Sequence, residues 1–275
     1  MADEDARLAG ATCDLERLVR THLFVIGPNN SGTTFLSAVL AKSRHTWNLR
    51  REGQHTFGFV GPATRGTEVP LVWASEPAWI AHFADPAAYD WAATRRAWYF
   101  QAFARSPEAS VFVTKAPPFL LVVDQLAEAF REARFLFLVR DPYATAEGIV
   151  RRRERQSDAS RADVLRRAAR HLVACFERQR ANVAAFADRG VFFTYEAMCA
   201  DPEGVGTQIR RLVPTLGDLD LDQRVAVKGI YDERLRDMNA DQIARLSPGD
   251  LRILNEVFRP AKDVLADFGY ALRES

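Results

Sequence analysis

The run His22-Leu23-Phe24-Val25-Ile26 leads straight into Gly27-Pro28-Asn29-Asn30-Ser31-Gly32-Thr33-Thr34-Phe35-Leu36, and this transition constrains the fold more than any other stretch. A short, continuous apolar run reads as a buried strand. Glycine and asparagine mark a tight turn. From Gly32 the pattern becomes helical through about residue 41. The same alternation recurs. Apolar runs at 111–114, 134–139 and 190–195 are each followed by a helical pattern, over about 117–131, 142–153 and from 202. A long amphipathic helix is expected over 161–188, and Ser247-Pro248 opens a last one ending near Gly269. Strand–helix alternation argues for an α/β fold whose parallel sheet is covered by helices on both faces. Its crossovers should be right-handed.

Ligands on such sheets sit at the carboxyl ends of the strands. Gly32, Lys115, Arg140 and Tyr195 all fall at or just past such ends. Gly27 and Gly32 have the spacing of the triphosphate-binding turn G-x-x-x-x-G-K-[ST], but Thr33 stands where that turn has lysine. A glycine-rich turn entering a helix still offers unpaired backbone N–H groups to an anion, with hydroxyls from Ser31, Thr33 and Thr34. Without the lysine, the anion should carry less charge than a nucleoside triphosphate with Mg²⁺. A phosphosulfate fits, because its terminal sulfuryl group holds a single negative charge.

The gross numbers exclude several classes. The chain has 275 residues and a formal net charge of +1, so no global field draws it to nucleic acid or an anionic membrane. No apolar stretch approaches the length of a membrane span, and the acidic start Met1-Ala2-Asp3-Glu4-Asp5 lacks the apolar run of a signal peptide. Three cysteines without a C-x-x-C pair fit a reduced, cytoplasmic protein. No His/Cys cluster or H-E-x-x-H motif offers a metal site. One domain over 1–275 is expected, with an aromatic-rich, mostly helical insertion at about 57–105. The plain reading of that segment is a satellite core of its own; a sharper one has some of its rings lining an acceptor pocket.

Asn30-Ser31-Gly32-Thr33-Thr34-Phe35-Leu36 resembles the 5′-phosphosulfate loop, (K/R)-S-G-T-(T/S)-x-L, of the sulfotransferases that use 3′-phosphoadenosine 5′-phosphosulfate (PAPS). It departs at Asn30, where the family usually has a basic residue. Arg140-Asp141-Pro142 after a strand resembles the family's 3′-phosphate motif. Gly148 replaces its serine eight residues on, and Arg152 holds the position of its second arginine. Gly148 and Arg152 share a helix face, and guanidinium forks suit phosphate. Tyr195-Glu196 through Asp201-Pro202 resembles the segment whose tyrosine contacts the nucleotide. The stretches around Met238-Asn239, Leu246-Ser247 and Phe268-Gly269 also match the family's C-terminal pattern.

The resemblance implies a three-layer sandwich of the P-loop NTPase-like sulfotransferase type. It implies PAPS as sulfuryl donor, with no metal, and Asn29, Asn30, Ser31, Gly32, Thr33, Thr34, Arg140, Gly148, Arg152 and Tyr195 as its binding residues. Arg245 and Lys228 are further candidates to reach it.

Transfer needs a base for the acceptor proton and a donor on the leaving oxygen. Glu52 lies about as far past the loop as the base glutamate of tyrosylprotein and carbohydrate sulfotransferases. Such a glutamate works best when burial or neighbours raise it towards neutral pH. Its ordinary alternative is a surface pair with Arg50 or Arg51. His55 is the other candidate base. Lys115, in a "K-x-P" sequence, is the candidate for the leaving group and supplies the charge that Asn30 lacks. The acceptor stays open among a hydrophobic small molecule, a sugar and a peptide. Two other readings are a non-catalytic PAP- or PAPS-binding protein of the same fold and a P-loop small-molecule kinase.

Overall fold

The computed structural model describes residues 8–62, 71–153, 159–227 and 231–274. In chain order the first half contains β1 (Leu8–Ala9), α1 (Leu15–Leu18), β2 (Thr21–Ile26), α2 (Thr33–Leu40), β3 (Thr46–Asn48), α3 (Pro77–Ala84), α4 (Trp91–Gln101), β4 (Phe103–Ala104) and β5 (Val111–Lys115). Then come α5 (Val123–Ala129), β6 (Ala133–Val139), α6 (Pro142–Arg153), α7 (Arg161–Ala185), β7 (Gly190–Thr194), α8 (Tyr195–Ala200) and α9 (Pro202–Leu212). A hairpin of β8 (Val225–Val227) and β9 (Tyr231–Glu233) precedes α10 (Asn239–Ile243), α11 (Pro248–Phe258) and α12 (Lys262–Ala266).

Among the described residues the main sheet has seven strands in the order β1-β4-β3-β5-β2-β6-β7. The five from β3 to β7 in that order are mutually parallel. Short β4 and β1 extend the β3 side with antiparallel pairing. β2 is central, flanked by β5 and β6, so its carboxyl end opens between their carboxyl ends. This is the α/β architecture expected from the strand–helix alternation, and it fixes where Gly27, Lys115 and Arg140 meet.

Alternation along the strands builds two cores. Phe24, Phe112, Phe135 and Phe137 point to one face and pack with Trp47, Trp98, Phe119 and Phe130. Leu23, Val25, Val113, Leu136 and Leu138 point to the other face, against Leu36, Val39 and Leu40 of α2 and Val205 and Ile209 of α9. A third cluster joins α6, α7 and α11 through Ile149, Leu165, Phe176 and Phe258. Fully burying one such side chain contributes roughly 1.5–3 kcal/mol.

The aromatic segment departs from the expectation of a satellite core. Trp73, Phe83, Trp98 and Tyr99 join the same cluster as the sheet phenylalanines. Trp98 stacks on Phe112 and Phe130, with ring centres 6.2 and 5.5 Å apart. The physical reason is that α4 and its neighbours cover this face of the sheet themselves. His22 is buried among these rings. Its Nδ1 faces the Arg131 carbonyl at 3.0 Å and must donate to it, so Nε2 accepts from the Tyr99 hydroxyl at 2.8 Å.

Two helices are interrupted where one continuous helix was expected. Residues 117–121 form a 3₁₀ turn before α5, and the last helix breaks at Arg259–Ala261. Pro260 explains the second break, since it has no N–H for the helix ladder and its ring crowds the preceding turn. No helix among the described residues is long and apolar enough to cross a membrane.

Candidate active site

The turn after β2 is shaped by two glycines with different constraints. A Cβ on Gly27 would lie 2.5 Å from the Leu138 carbonyl oxygen on β6. Gly32 has φ +92°, and a Cβ there would meet the Tyr195 ring at 2.8 Å. Asn30 is also left-handed, at φ 62°, a conformation asparagine tolerates. Ser31 is fully buried, and its hydroxyl donates to the Pro28 carbonyl at 2.7 Å. It ties the turn from inside and does not line the cleft. No side chain caps α2, so its first-turn N–H groups, which have no intrahelical acceptor, are left for an anion. Asn30 Nδ2 is a further buried donor without a partner. The Trp73 indole donates to Asn29 Oδ1 at 2.8 Å and fixes that side chain from the core.

Lys115 closes β5 beside the turn. Its Nζ donates to Thr34 Oγ1 at 2.9 Å and to Glu52 Oε1 at 2.6 Å. The Lys115 side chain is 10% exposed and that of Glu52 30%, so the pair is largely shielded from water. Glu52 can come this close because the next residue is glycine: a Cβ on Gly53 would lie 2.8 Å from Thr114 Cγ2 and 2.9 Å from Trp98 Cζ2. The Trp98 indole donates to the Gly53 carbonyl at 3.0 Å and pins the loop. Glu52 thus pairs with Lys115 rather than with Arg50 or Arg51. His55 does not line the cleft. Its Nε2 lies 3.8 Å from Glu52 Oε2, and the Gln54 amide contacts both side chains.

The other half of the site starts at Arg140, just past β6 and only 6% exposed. Its guanidinium donates to Asn239 Oδ1 (2.7 Å), Gln242 Oε1 (2.7 Å) and the Asn30 carbonyl (3.1 Å). It also lies 4.2 Å over the Tyr195 ring. Three of its five N–H groups are therefore committed to the protein, which leaves two for a ligand. Glu196 holds the surrounding frame, accepting from the Asp141 N–H, the Asn239 amide and the Tyr270 hydroxyl. The Tyr195 hydroxyl donates to the Arg236 carbonyl, and burial pushes this phenol's pKa up. On α6, Gly148 faces the Asn30 amide, where a Cβ would sit at 3.6 Å. Arg152 is exposed and makes no ion pair with any described residue, whereas Arg151 pairs with Glu147 at 3.0 Å.

These groups surround one cleft of about 340 Å³. Asn29, Asn30, Gly32, Thr33, Thr34, Glu52, Lys115, Arg140, Gly148, Arg152 and Tyr195 all line it. Ser31 and His55 do not. Arg245 lies outside, near Glu147 at 3.6 Å, and Lys228 falls outside the described residues. No ring from the aromatic segment lines the cleft among the described residues. Sequence reasoning missed Arg234, Arg236 and Gln242 in the lining, and the clamp role of Asn239. The available signal was the resemblance around Met238-Asn239, which marked the segment without assigning roles to its residues. Among the described residues no group of three or more His, Cys, Asp and Glu is arranged to hold a metal ion.

A strand-turn-helix junction at the centre of a mostly parallel sheet, with a lysine and an arginine at the two neighbouring strand ends, defines an α/β fold with its candidate site at the strand carboxyl ends. A sequence profile of the sulfotransferase family matches residues 22–217, and the chain belongs to that family. Similar solved structures include sulfotransferase STF9 from Mycobacterium avium, at 16% identity over 94% of this chain and 79% of that one, with a TM-score of 0.56. A sulfotransferase from Alicyclobacillus acidocaldarius matches at 15% identity over 92% and 98%, with a TM-score of 0.55. The sulfotransferase domain of the Synechococcus PCC 7002 olefin synthase matches at 20% identity over 93% and 96%, with a TM-score of 0.52. At these identities the likeness is one of fold. No curated protein matches the chain.

Proposed function

We propose that this chain transfers the sulfuryl group of PAPS to a hydroxyl or amine of an acceptor. The observation that carries the reading is the single ammonium of Lys115, which touches the anion cradle at Thr34 and the carboxylate of Glu52 at once. The uncapped start of α2 and the unpartnered Asn30 amide suit the 5′-phosphosulfate. Arg152 and the two remaining N–H groups of Arg140 suit the 3′-phosphate.

In the transfer, the acceptor oxygen or nitrogen attacks sulfur in line with the departing phosphate oxygen. The new bond to sulfur forms as the bond from sulfur to the bridging oxygen breaks. That oxygen keeps the electron pair, and Lys115 neutralises it. Glu52 takes the acceptor proton. The products are a sulfated acceptor and PAP. In this reading Lys115 performs the task that a basic residue at position 30 would otherwise perform.

Thermal-shift measurements with PAP in the absence of Mg²⁺ test the nucleotide assignment, since a ligand that binds only the folded state raises Tm. Strong stabilisation by ATP-Mg²⁺ with none by PAP would sink it. Radiolabelled PAPS incubated with fractionated cell extract tests transfer itself. PAP binding with no label incorporated into any fraction would favour a non-catalytic binding protein.

A further inference from the structure

A second cavity, of about 280 Å³, meets the nucleotide cleft at Thr34, Glu52 and Lys115, which line both. Two of them, Glu52 and Lys115, are the residues assigned above to the transfer. Its other walls come from α2, from Asn48 at the end of β3 and residues 49–51 beyond it, and from the end of β5. A space that reaches the base without passing through the donor's cradle is where an in-line acceptor must enter.

The charge of this cavity is unbalanced. Arg50 and Arg51 line it, both are exposed, and neither forms an ion pair with any described residue. Glu52 is its one acidic lining residue, and Lys115 already engages it. Two unmatched guanidiniums outweigh the single carboxylate and make a local anion site. Asn48 adds a polar group. It is 3% exposed, and its Nδ2 donates to the Thr46 carbonyl and hydroxyl at 3.2 and 2.8 Å. That orientation fixes the amide and leaves Oδ1 without a partner.

We propose that this cavity is the acceptor subsite and that the acceptor is an anion: a hydroxyl or amine compound whose carboxylate, phosphate or sulfate is held by Arg50 and Arg51 while its reacting group sits at Glu52. The proposal rests on the sulfotransferase reading and names the substrate class for it. A neutral hydrophobic acceptor would leave both arginines unmatched.

The protein saturated with PAP, which fills the cradle, is titrated calorimetrically with matched compounds. Glucose is compared with glucuronate and glucose 6-phosphate, and tyrosol with 4-hydroxyphenylacetate. The anionic member of at least one set should bind at least tenfold more tightly than its neutral counterpart. That advantage should vanish in the Arg50→Ala/Arg51→Ala variant. Comparing glucuronate with glucose 6-phosphate separates carboxylate from phosphate recognition. Equal binding within every set, an advantage that survives in the double variant, or no binding of any compound overturns the proposal. PAP affinity, measured first in both proteins, reports folding and the nucleotide site. Its absence in the parent protein would count against the sulfotransferase reading instead.

Discussion

The ammonium of Lys115 lies 2.6 Å from Glu52 Oε1, so the groups assigned to the two ends of the transfer are in direct contact. In the proposed transfer, a phosphosulfate would draw Lys115 towards its bridging oxygen and free Glu52 beside the acceptor. In that reading the base becomes available only when the donor is in place.

Lys115→Met and Glu52→Gln should each lower transfer from PAPS by about 10²–10³-fold, the scale of losing one charged group from the transition state. Because the two act as a unit, the double variant should lose little more than the worse single variant. Rates of radiolabel transfer check this, and multiplicative losses would mean that the two residues act independently.

Gly53→Ala should impair catalysis without touching a reacting group. The added methyl would lie within 3 Å of Thr114 and Trp98 and push the Glu52 loop off β5. The expectation is a loss of roughly 1–3 kcal/mol in stability, seen in urea melts, and a fall in kcat of at least tenfold. Wild-type kcat in this variant would show that the loop has another way to seat Glu52.

Gly148→Ser should improve the nucleotide site. A Cβ there stands 3.6 Å from the Asn30 amide, an ordinary contact, so the side chain fits. Its hydroxyl restores the donor that the family pattern has at this position and offers an acceptor to the unpartnered Asn30 Nδ2. PAP affinity by calorimetry should rise about three- to tenfold, the scale of one added hydrogen bond; a weaker Kd would place the 3′-phosphate elsewhere.

Stability should fall as pH drops from 7 towards 4. Burial lowers the pKa of His22 to about 4 and that of His171 to about 3. His22 is enclosed by Tyr99 and the Arg131 carbonyl, with Arg95 and Glu16 acting at longer range. His171 lies against Trp73 and Cys175 and accepts from the Ala74 N–H. Both imidazoles are neutral in the fold but gain a proton on unfolding once pH is below about 6.5. The unfolded state then binds more protons, so unfolding free energy rises with pH across this window, by up to about 1.4 kcal/mol per pH unit for each group. Chemical melts between pH 4.5 and 7 read this slope, and His171→Gln should flatten it. An unchanged slope in that variant would remove His171 from the account.

Much of the proposed nucleotide half of the site could be read because it is local. A strand end, a glycine turn and a helix start lie within a dozen residues around Gly32, and Arg140 announces itself at the end of the strongest strand. Lys115 was legible as a rare lysine at a strand end. The edge of the sheet was not. β1, β3 and β4 are two or three residues long, and pairing with neighbours creates them more than any intrinsic pattern does. The commitment of Arg140 to Asn239 and Gln242 was hidden for a related reason, since about a hundred residues separate those partners. The role of Gly53 was equally invisible, because its neighbours Thr114 and Trp98 come from other segments. Ser31 was read as a ligand donor because its position matches the family motif. Only the fold shows its hydroxyl turned inward to Pro28.

The hydrogen bond from Trp73 to Asn29 also gives the protein an optical property. Trp73 is 1% exposed, and its indole N–H is bound to a side chain that lines the nucleotide cleft. Indole emission responds to the hydrogen bond its nitrogen makes. Occupation of the cradle should therefore be visible in the intrinsic fluorescence of the unlabelled protein, and Trp73→Phe should silence that signal. If that signal appears, the packed aromatic face that supports the sheet also serves as a gauge of whether the site is filled.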